Sequence, residues 1–486
     1  MPYHGYVFKI FVSAFIAGFV SLGLEIIGFR ALAPYFGYSI YASSAIIGVI
    51  LLALSSGYVL GGRWSDKNEA PGYVFGMVLA SGLYVALSAL FYKNVSQDFF
   101  SFGISLGASL STLVIFAPPT IVLGSLSPYL IKLAINSGAP IGASSGRIYA
   151  VSTMGSLFGT FLTALFLVPR IGIRGSLFIN SILVVFVALL WLFREKRAVA
   201  LSLLVPLLLT FIPHIERGNV LAVRESVYSS LSVVDYGNMI GLRTNERDGT
   251  IYSFVPRSGG WQYGHRLYDL FSLPPLINGA KRSLLLGVGA GTIPLLHKEL
   301  NPSLVIAGVE IDPAIIDLGN EFFGLRDSKN ISRIIIEDAR PFLMRETSRY
   351  DLLEIDLFWG GAEIPFYLAT KEFFELTKNR LLSDGLLAMN VYDPSREGKV
   401  LSAITNTIAS VYPHVYKIPA GFGSYFIIGG KKAIDLAPLQ VFLGEESSRG
   451  DLVRYAESAI RPISFSQDES ILTDDKSLLE ILGRAS

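Results

Sequence analysis

Ser283-Leu284-Leu285-Leu286 is a short apolar run that leads straight into Gly287-Val288-Gly289-Ala290-Gly291-Thr292, with a helical pattern through Leu300. A second apolar run, Leu304–Gly308, ends in Val309-Glu310-Ile311-Asp312-Pro313. Glycines at a strand-to-helix turn let backbone N–H groups approach a ligand closely. An acid about 20 positions on, at the tip of the next strand, accepts hydrogen bonds from ribose hydroxyls. Glu310 is that acid, with Asp312 beside it, so the unit describes a nucleoside site. A third strand tip, Arg333–Glu337, is followed by Asp338-Ala339. In this architecture an acid there meets an adenine amino group, and Asp338 also suits the N-cap of the segment from Pro341; the two roles are compatible. A fourth strand, Tyr350–Ile355, ends at Asp356, where the cofactor's reactive end is expected, because ligands bind outside the carboxyl ends of parallel strands. Asp351 and Glu354 read as solvent-facing or structural.

The elements that hold these residues alternate strand and helix, which describes a doubly wound, Rossmann-like α/β domain. A fifth strand, Leu386–Tyr392, follows the turn Ser383-Asp384-Gly385. Ahead of the sheet, Ser226–Asp235 and Met239–Leu242 read as strands of a small antiparallel element, with Arg247-Asp248-Gly249-Thr250 as a turn, serving as a lid or an oligomerisation element. The tail Ile471-Leu472-Thr473-Asp474-Asp475-Lys476 either caps a helix or reaches the site. These patterns set expected boundaries of 216–275 for the linker and β element, 276–430 for the α/β domain and 431–486 for a tail packed on it.

Residues 1–215 are different. The whole chain has 486 residues, 51% of them apolar and only 16% charged, where a soluble domain carries about 25% charge. The averages exclude a wholly soluble globule and a disordered chain. Seven apolar stretches stand out, roughly Val7–Phe29, Ile40–Gly61, Tyr73–Tyr92, Phe100–Leu133, Ile148–Val168, Ser176–Phe193 and Ala198–Ile212. Most reach the ~20 residues that cross a bilayer. An all-α transmembrane domain embedded in lipid is therefore expected. The fourth stretch, which carries Pro118-Pro119, reads as one kinked span or two short ones. Glu25 and Arg30 are ionisable groups at membrane depth, either functional or a pair that fixes packing. Gly155, Ser156, Gly159 and Thr160 mark a tight helix contact. Net charge is +1, so no global field draws nucleic acid, and none is expected as a partner. Cysteine is absent and the five histidines are scattered, so no metal site is expected.

The motifs resemble those of the spermidine synthase (aminopropyltransferase) family, most of all its membrane-bound branch, in which helices precede the synthase domain. The resemblance covers Glu225 to about Gly430 and extends to the tail and to the Glu25/Arg30, GGRWSD and GRIYAVSTMGSLFG segments. Gly61-Gly62-Arg63-Trp64-Ser65-Asp66 is also similar to the short loop between helices two and three of major-facilitator carriers. By the family resemblance, Gly287, Gly289, Gly291 and Glu310 hold the adenosyl group, Asp338-Ala339 meets the adenine, and Asp356 is the catalytic aspartate. Thr370-Lys371-Glu372-Phe373 matches the family's later helix start, and Leu273-Pro274 its lead into the first strand. Two departures concern the acceptor. Soluble members read Asp-x-x-Asp-Pro where this chain has Asp356-Leu357-Phe358-Trp359, so Trp359 replaces the second acid and Glu363 is its candidate substitute. Tyr252 stands where the family has a glutamine.

The resemblance implies aminopropyl transfer from decarboxylated S-adenosylmethionine to a small-molecule amine, releasing methylthioadenosine. An amine is protonated at neutral pH, and a carboxylate must take its proton before it can attack. Asp356 is the candidate, with Tyr263 or Tyr268 as hydrogen-bond partners, and Trp359 could lie against a cation. Two other readings fit the same residues: an S-adenosylmethionine-dependent methyltransferase acting on a membrane-delivered substrate, and a non-catalytic polyamine or nucleoside carrier or sensor. A homodimer is a possible assembly. Because sulfonium nucleosides are made in the cytoplasm, the C-terminal domain is expected there, although seven crossings with Lys and Arg on the N-terminal side would put it outside.

Overall fold

The computed structural model describes residues 3–36, 40–67, 70–192, 219–226, 228–244, 251–258, 264, 266–358, 364–393 and 398–475. Contacts divide the chain into two units, 1–216 with 225–229, and 217–224 with 230–486.

Within the first unit, five helical stretches among the described residues are long and apolar enough to cross a membrane: Tyr6–Phe36, Ile40–Asp66, Pro71–Phe102, Ala117–Asn136 and Ile141–Leu192. The fourth apolar stretch resolves into two helices, Ile104–Ile115 and Ala117–Asn136, which meet at Phe116. Pro118 and Pro119 lie in the first turn of the second helix, where their missing N–H groups have no intrahelical partner to lose, so they start a helix instead of kinking one. The fifth and sixth stretches lie in one helical run, Ile141–Leu192, broken by a π-helical turn at Thr163–Leu167 and by Gly172 at φ +70°. The seventh lies outside the described residues. GGRWSD is the last two turns of helix Ile40–Asp66 and not a loop. Gly61 packs there so closely that a Cβ would lie 2.1 Å from the Ser125 carbonyl oxygen. The contact expected at Gly155 and Gly159 forms against the first helix: Cβ atoms on them would lie 2.0 and 2.1 Å from the Phe15 and Phe19 carbonyl oxygens. Arg30 forms no ion pair with Glu25; its Nη2 donates to the Ser226 carbonyl at 2.5 Å.

The second unit holds two sheets. The smaller is antiparallel, in the order β1 (Val220–Glu225), β2 (Ser230–Asp235), β3 (Met239–Thr244), β4 (Ile251–Pro256). The sequence reading missed β1 and ran β2 too early. Ser226 instead makes a turn, its Oγ accepting from the Tyr228 and Ser229 N–H groups. The larger sheet contains β5 (Arg282–Leu286), β6 (Val305–Glu310), β7 (Ile331–Ile336), β8 (Tyr350–Ile355), β9 (Leu381–Tyr392), β10 (His414–Gly421), β11 (Ser424–Gly430) and β12 (Arg461–Ile463). Their spatial order is β12-β10-β11-β9-β8-β5-β6-β7. The strands from β5 to β9 are parallel, and β10, β11 and β12 pair antiparallel. The fold is the doubly wound, Rossmann-like one expected from the sequence and of the methyltransferase type, and the order places its switch point between β5 and β8. Ser383-Asp384-Gly385 is not a turn before the fifth strand but a bulge inside it: Leu381 pairs with Tyr350 and Leu386 already with Leu352.

The central strands bury both faces, which is why they read as unbroken apolar runs. Leu284, Leu286, Leu353, Ile355 and Met389 pack on one side with Phe373, Phe374 and Ile404. On the other, Leu285, Leu352 and Ala388 meet Ile293 and Leu296. One polar residue breaks the pattern. Glu354 is fully buried, not solvent-facing. It accepts from Ser283 Oγ at 2.5 Å and pairs with His297 Nε2 at 2.7 Å, while His297 Nδ1 meets Asn301 Nδ2 at 3.2 Å. His297→Leu would strand a buried carboxyl. It is expected to cost about 3 kcal/mol, read as a lowered midpoint in thermal or denaturant unfolding.

Candidate functional site

Each expected nucleoside contact sits at the carboxyl end of a parallel strand. After β5 the chain turns through Gly287, Gly289 and Gly291 at φ +88°, +57° and +112°, a region L side chains rarely enter. Helix Thr292–Leu300 then starts at the turn. The small sheet clamps this loop. The Ala290 N–H donates to Ser253 Oγ at 2.9 Å, and Thr292 Oγ1 exchanges hydrogen bonds with Phe254 N and O at 2.7 and 3.0 Å. Ala290 also packs with Leu231, Val233 and Leu242 of that sheet.

Glu310 closes the glycine loop from β6. Its Oε2 accepts from the Gly289 N–H at 3.0 Å and its Oε1 from the Asp312 N–H at 3.1 Å. Each oxygen retains a lone pair for a hydroxyl donor. Burial pushes its pKa up to about 6, against the lowering effect of those two amides. Asp312 is 1% exposed and caps helix Pro313–Phe322, its Oδ1 accepting from the Ala314 N–H at 2.9 Å. Asp338 likewise caps helix Ala339–Arg345: Oδ1 accepts from the Arg340 N–H at 2.9 Å and Oδ2 from Tyr367 Oη at 2.6 Å. Ala339 is buried directly behind it.

Asp356 stands at the switch point. Its N–H donates to the Leu286 carbonyl at 3.0 Å, which ties the tip of β8 to the start of the glycine turn. Its Oδ1 accepts from Asn390 Nδ2, on the neighbouring strand β9, at 2.9 Å. Burial raises its pKa to about 6, the Asn390 hydrogen bond opposes this and the Glu354 charge adds to it. A carboxylate with that pKa is mostly ionised at neutral pH and still basic enough to take a proton.

Tyr268 was expected as the partner of Asp356. Its Oη instead donates to the Tyr252 carbonyl at 3.1 Å, and Asn390 takes the partner's place. Burial, then the Asp356 charge, hold the Tyr268 phenol well above its ordinary pKa, so it stays protonated. Tyr263, Trp359 and Glu363 lie outside the described residues, as does the 247–250 turn. Thr370 caps helix Lys371–Asn379 as expected. Sequence reasoning missed Ser253, Asn390, Tyr367 and Arg340. Asn390 had a signal: it is the one amide in the apolar run Leu386–Val391. Among the described residues there is no group of three or more His, Cys, Asp or Glu that could hold a metal.

The chain is similar in sequence to known proteins. A "Probable polyamine aminopropyl transferase" of Bifidobacterium longum is 29% identical over 281 residues, covering 53% of this chain and 61% of that protein. The match therefore spans less than two thirds of that relative's own length. A polyamine aminopropyltransferase of Oceanobacillus iheyensis is 24% identical over 466 residues, covering 83% of this chain and 88% of that protein. The solved spermidine synthase of Thermotoga maritima aligns with a TM-score of 0.37 at 16% identity, over 46% of this chain and 75% of its own. No family model matches the chain. The resemblance read from the motifs is thus borne out by relatives named as polyamine aminopropyltransferases.

Proposed function

From this kinship with the polyamine aminopropyltransferases we propose that the chain is a transferase that moves an aminopropyl group from decarboxylated S-adenosylmethionine to an amine. The observation that carries the reading is Asp356, tied by its own N–H to the end of β5 and oriented by Asn390 beside the glycine turn. The Gly287–Gly291 turn and Glu310 would hold the nucleoside's ribose, and Asp338 its base. The neutral acceptor nitrogen forms a bond to the carbon beside the sulfonium, the carbon–sulfur bond breaks, and methylthioadenosine leaves with that electron pair. Asp356 takes the proton the nitrogen must lose. In sequence, Trp359 stands where the family has its second acid, so the acceptor need not be putrescine.

The test is product identity. Purified full-length protein is incubated with decarboxylated S-adenosylmethionine and a panel of amines, and in parallel with S-adenosylmethionine. Methylthioadenosine formed only with an amine supports the proposal. S-adenosylhomocysteine would point to methyl transfer, and neither product with any acceptor would leave a binding protein.

The pH dependence of binding follows from Glu310. Ribose hydroxyls donate to its ionised form, so methylthioadenosine, uncharged itself, prefers the deprotonated site. With a pKa of about 6, affinity is expected to rise about 10-fold between pH 5 and 7 and then level off, with proton release on binding below about pH 6. Calorimetry in two buffers of different ionisation enthalpy measures both, and Glu310→Gln is expected to flatten the profile.

We place the enzyme in the membrane through the five apolar helices of its first unit, with the α/β domain in the cytoplasm where sulfonium nucleosides are made. Protease protection of the C-terminus in intact cells and in inverted vesicles tests the orientation.

A further inference from the structure

The segment 466–475 is laid across the α/β domain as a strap. Asn406 holds its start, donating to the Ser466 and Glu469 carbonyls at 3.0 and 3.1 Å and accepting from the Ser466 N–H at 2.8 Å. Leu472 is buried in the core, its N–H donates to Thr407 Oγ1 at 2.9 Å, and its carbonyl accepts from the Lys371 N–H at 2.8 Å. Beyond that plug, Asp474 makes a two-pronged pair with Arg340: Oδ1 accepts from Nη1 at 2.8 Å and Oδ2 from Nη2. Thr370 Oγ1 donates to the same Oδ1 at 2.8 Å, and Glu372 Oε2 accepts from the Asp474 N–H at 3.1 Å.

Two neighbours make this more than a surface ion pair. Arg340 Nη1 also donates to the Tyr367 carbonyl at 2.9 Å, and Tyr367 Oη donates to Asp338 Oδ2 at 2.6 Å. Arg340 through its own N–H, and Tyr367 through its phenol, therefore supply the two hydrogen bonds the structure gives the Asp338 carboxylate. Each oxygen of that carboxylate is thereby given a direction. Asp474 fixes both suppliers at once, because its guanidinium partner ties helix Ala339–Arg345 to the turn carrying Tyr367.

We infer that Asp474, acting through Arg340 and Tyr367, is a positioning residue that aims the Asp338 carboxylate and so sets the nucleobase preference of the site. The inference rests on the proposed nucleoside function. A carboxylate accepts from the 6-amino group of adenine and repels the 6-oxo group of hypoxanthine, so preference between the two reports where its oxygens point. A tail that served only to close the fold would affect both bases alike.

The experiment measures affinities of the full-length protein for methylthioadenosine and for 5′-methylthioinosine. The variants are Asp474→Asn, which breaks the pair, and Tyr367→Phe, which removes only the phenol. Glu310→Gln serves as a ribose-side reference. The wild-type chain is expected to favour the adenine compound. Asp474→Asn and Tyr367→Phe are each expected to weaken it about 10-fold while changing the inosine compound less than about 2-fold. Glu310→Gln should weaken both together and leave the ratio intact. An unchanged ratio in both strap variants, or an equal loss of both compounds, overturns the inference while the nucleoside function stands. Tyr367→Phe decides the matter if Asp474→Asn fails to fold. A wild-type chain that binds neither compound overturns the proposed function and this inference together.

Discussion

Asp356→Asn is expected to lower turnover about 10³-fold while methylthioadenosine still binds with near wild-type affinity. General base catalysis by a positioned side chain contributes about 10²–10⁴-fold. Asparagine keeps the shape, and the backbone hydrogen bond from residue 356 to Leu286 is untouched. The pH profile should change as well. Because Asp356 must be ionised to accept a proton, wild-type kcat/KM is expected to rise through about pH 6 and to lose that limb in the variant. Stability should move in the opposite direction from activity. The folded-state pKa of Asp356 lies above its unfolded value of about 3.9, so its protonated form is the one the fold favours. That contribution is fully present below about pH 4 and is lost as pH rises through about 6. At pH 8 the wild type carries an ionised carboxylate in a partly buried wall beside Glu354. The neutral amide should relieve this by about 1–2 kcal/mol, seen as a higher unfolding temperature. Unchanged turnover in a variant that binds the nucleoside normally would sink the assignment of Asp356 as the base.

The parts of the site that could be read from the sequence are those whose chemistry and backbone requirement coincide. Gly287, Gly289 and Gly291 were legible because a strand that must turn at positive φ into a helix tolerates little else, and Glu310 because the βαβ geometry fixes its distance from them. Asp356 was legible as the first polar residue beyond an apolar strand. Partners supplied from elsewhere in the chain were not. Asn390 reaches Asp356 only because β9 lies beside β8, and Ser253 reaches Ala290 because a separate sheet folds over the glycine loop. For Glu354 the sequence leaves a solvent-facing and a structural role open, and the structure gives the structural one, a buried carboxyl held by Ser283 and His297. Its partner His297 comes from a helix more than 50 residues earlier, a pairing no local pattern encodes. The same holds in the apolar half. Hydropathy found the long apolar helices, but not that Pro118-Pro119 begins a helix or that Gly61 stays helical, since both depend on the neighbouring helix or turn.

Gly287→Ala is expected to abolish nucleoside binding and turnover together, which separates the glycine turn's role from that of Asp356. Two independent effects act at this position. The residue sits at φ +88°, where an L side chain is strained by about 1–2 kcal/mol. Its Cβ would also lie 2.2 Å from the Asp356 carbonyl oxygen. That atom is backbone at the tip of β8, held by the Asp356 N–H to Leu286 hydrogen bond, so it cannot swing aside as a flexible side chain would. Either β5 and β8 part at their carboxyl ends or the turn refolds, and both move the glycine amides relative to Asp356. Total destabilisation should reach about 3 kcal/mol or more, and a displacement of about 1 Å between reacting groups alone costs about 10²-fold in rate. Gly279→Ala is the matched reference. Gly279 has φ +65° at the end of helix Leu273–Asn278, but nothing lies within 4 Å of where its Cβ would be. It should therefore show the backbone strain, about 1–2 kcal/mol, with nucleoside affinity intact. If Gly287→Ala bound methylthioadenosine as tightly as Gly279→Ala does, the close approach of the glycine turn to β8 would be irrelevant to the site. Nucleoside binding would then rest on Glu310 and Asp338.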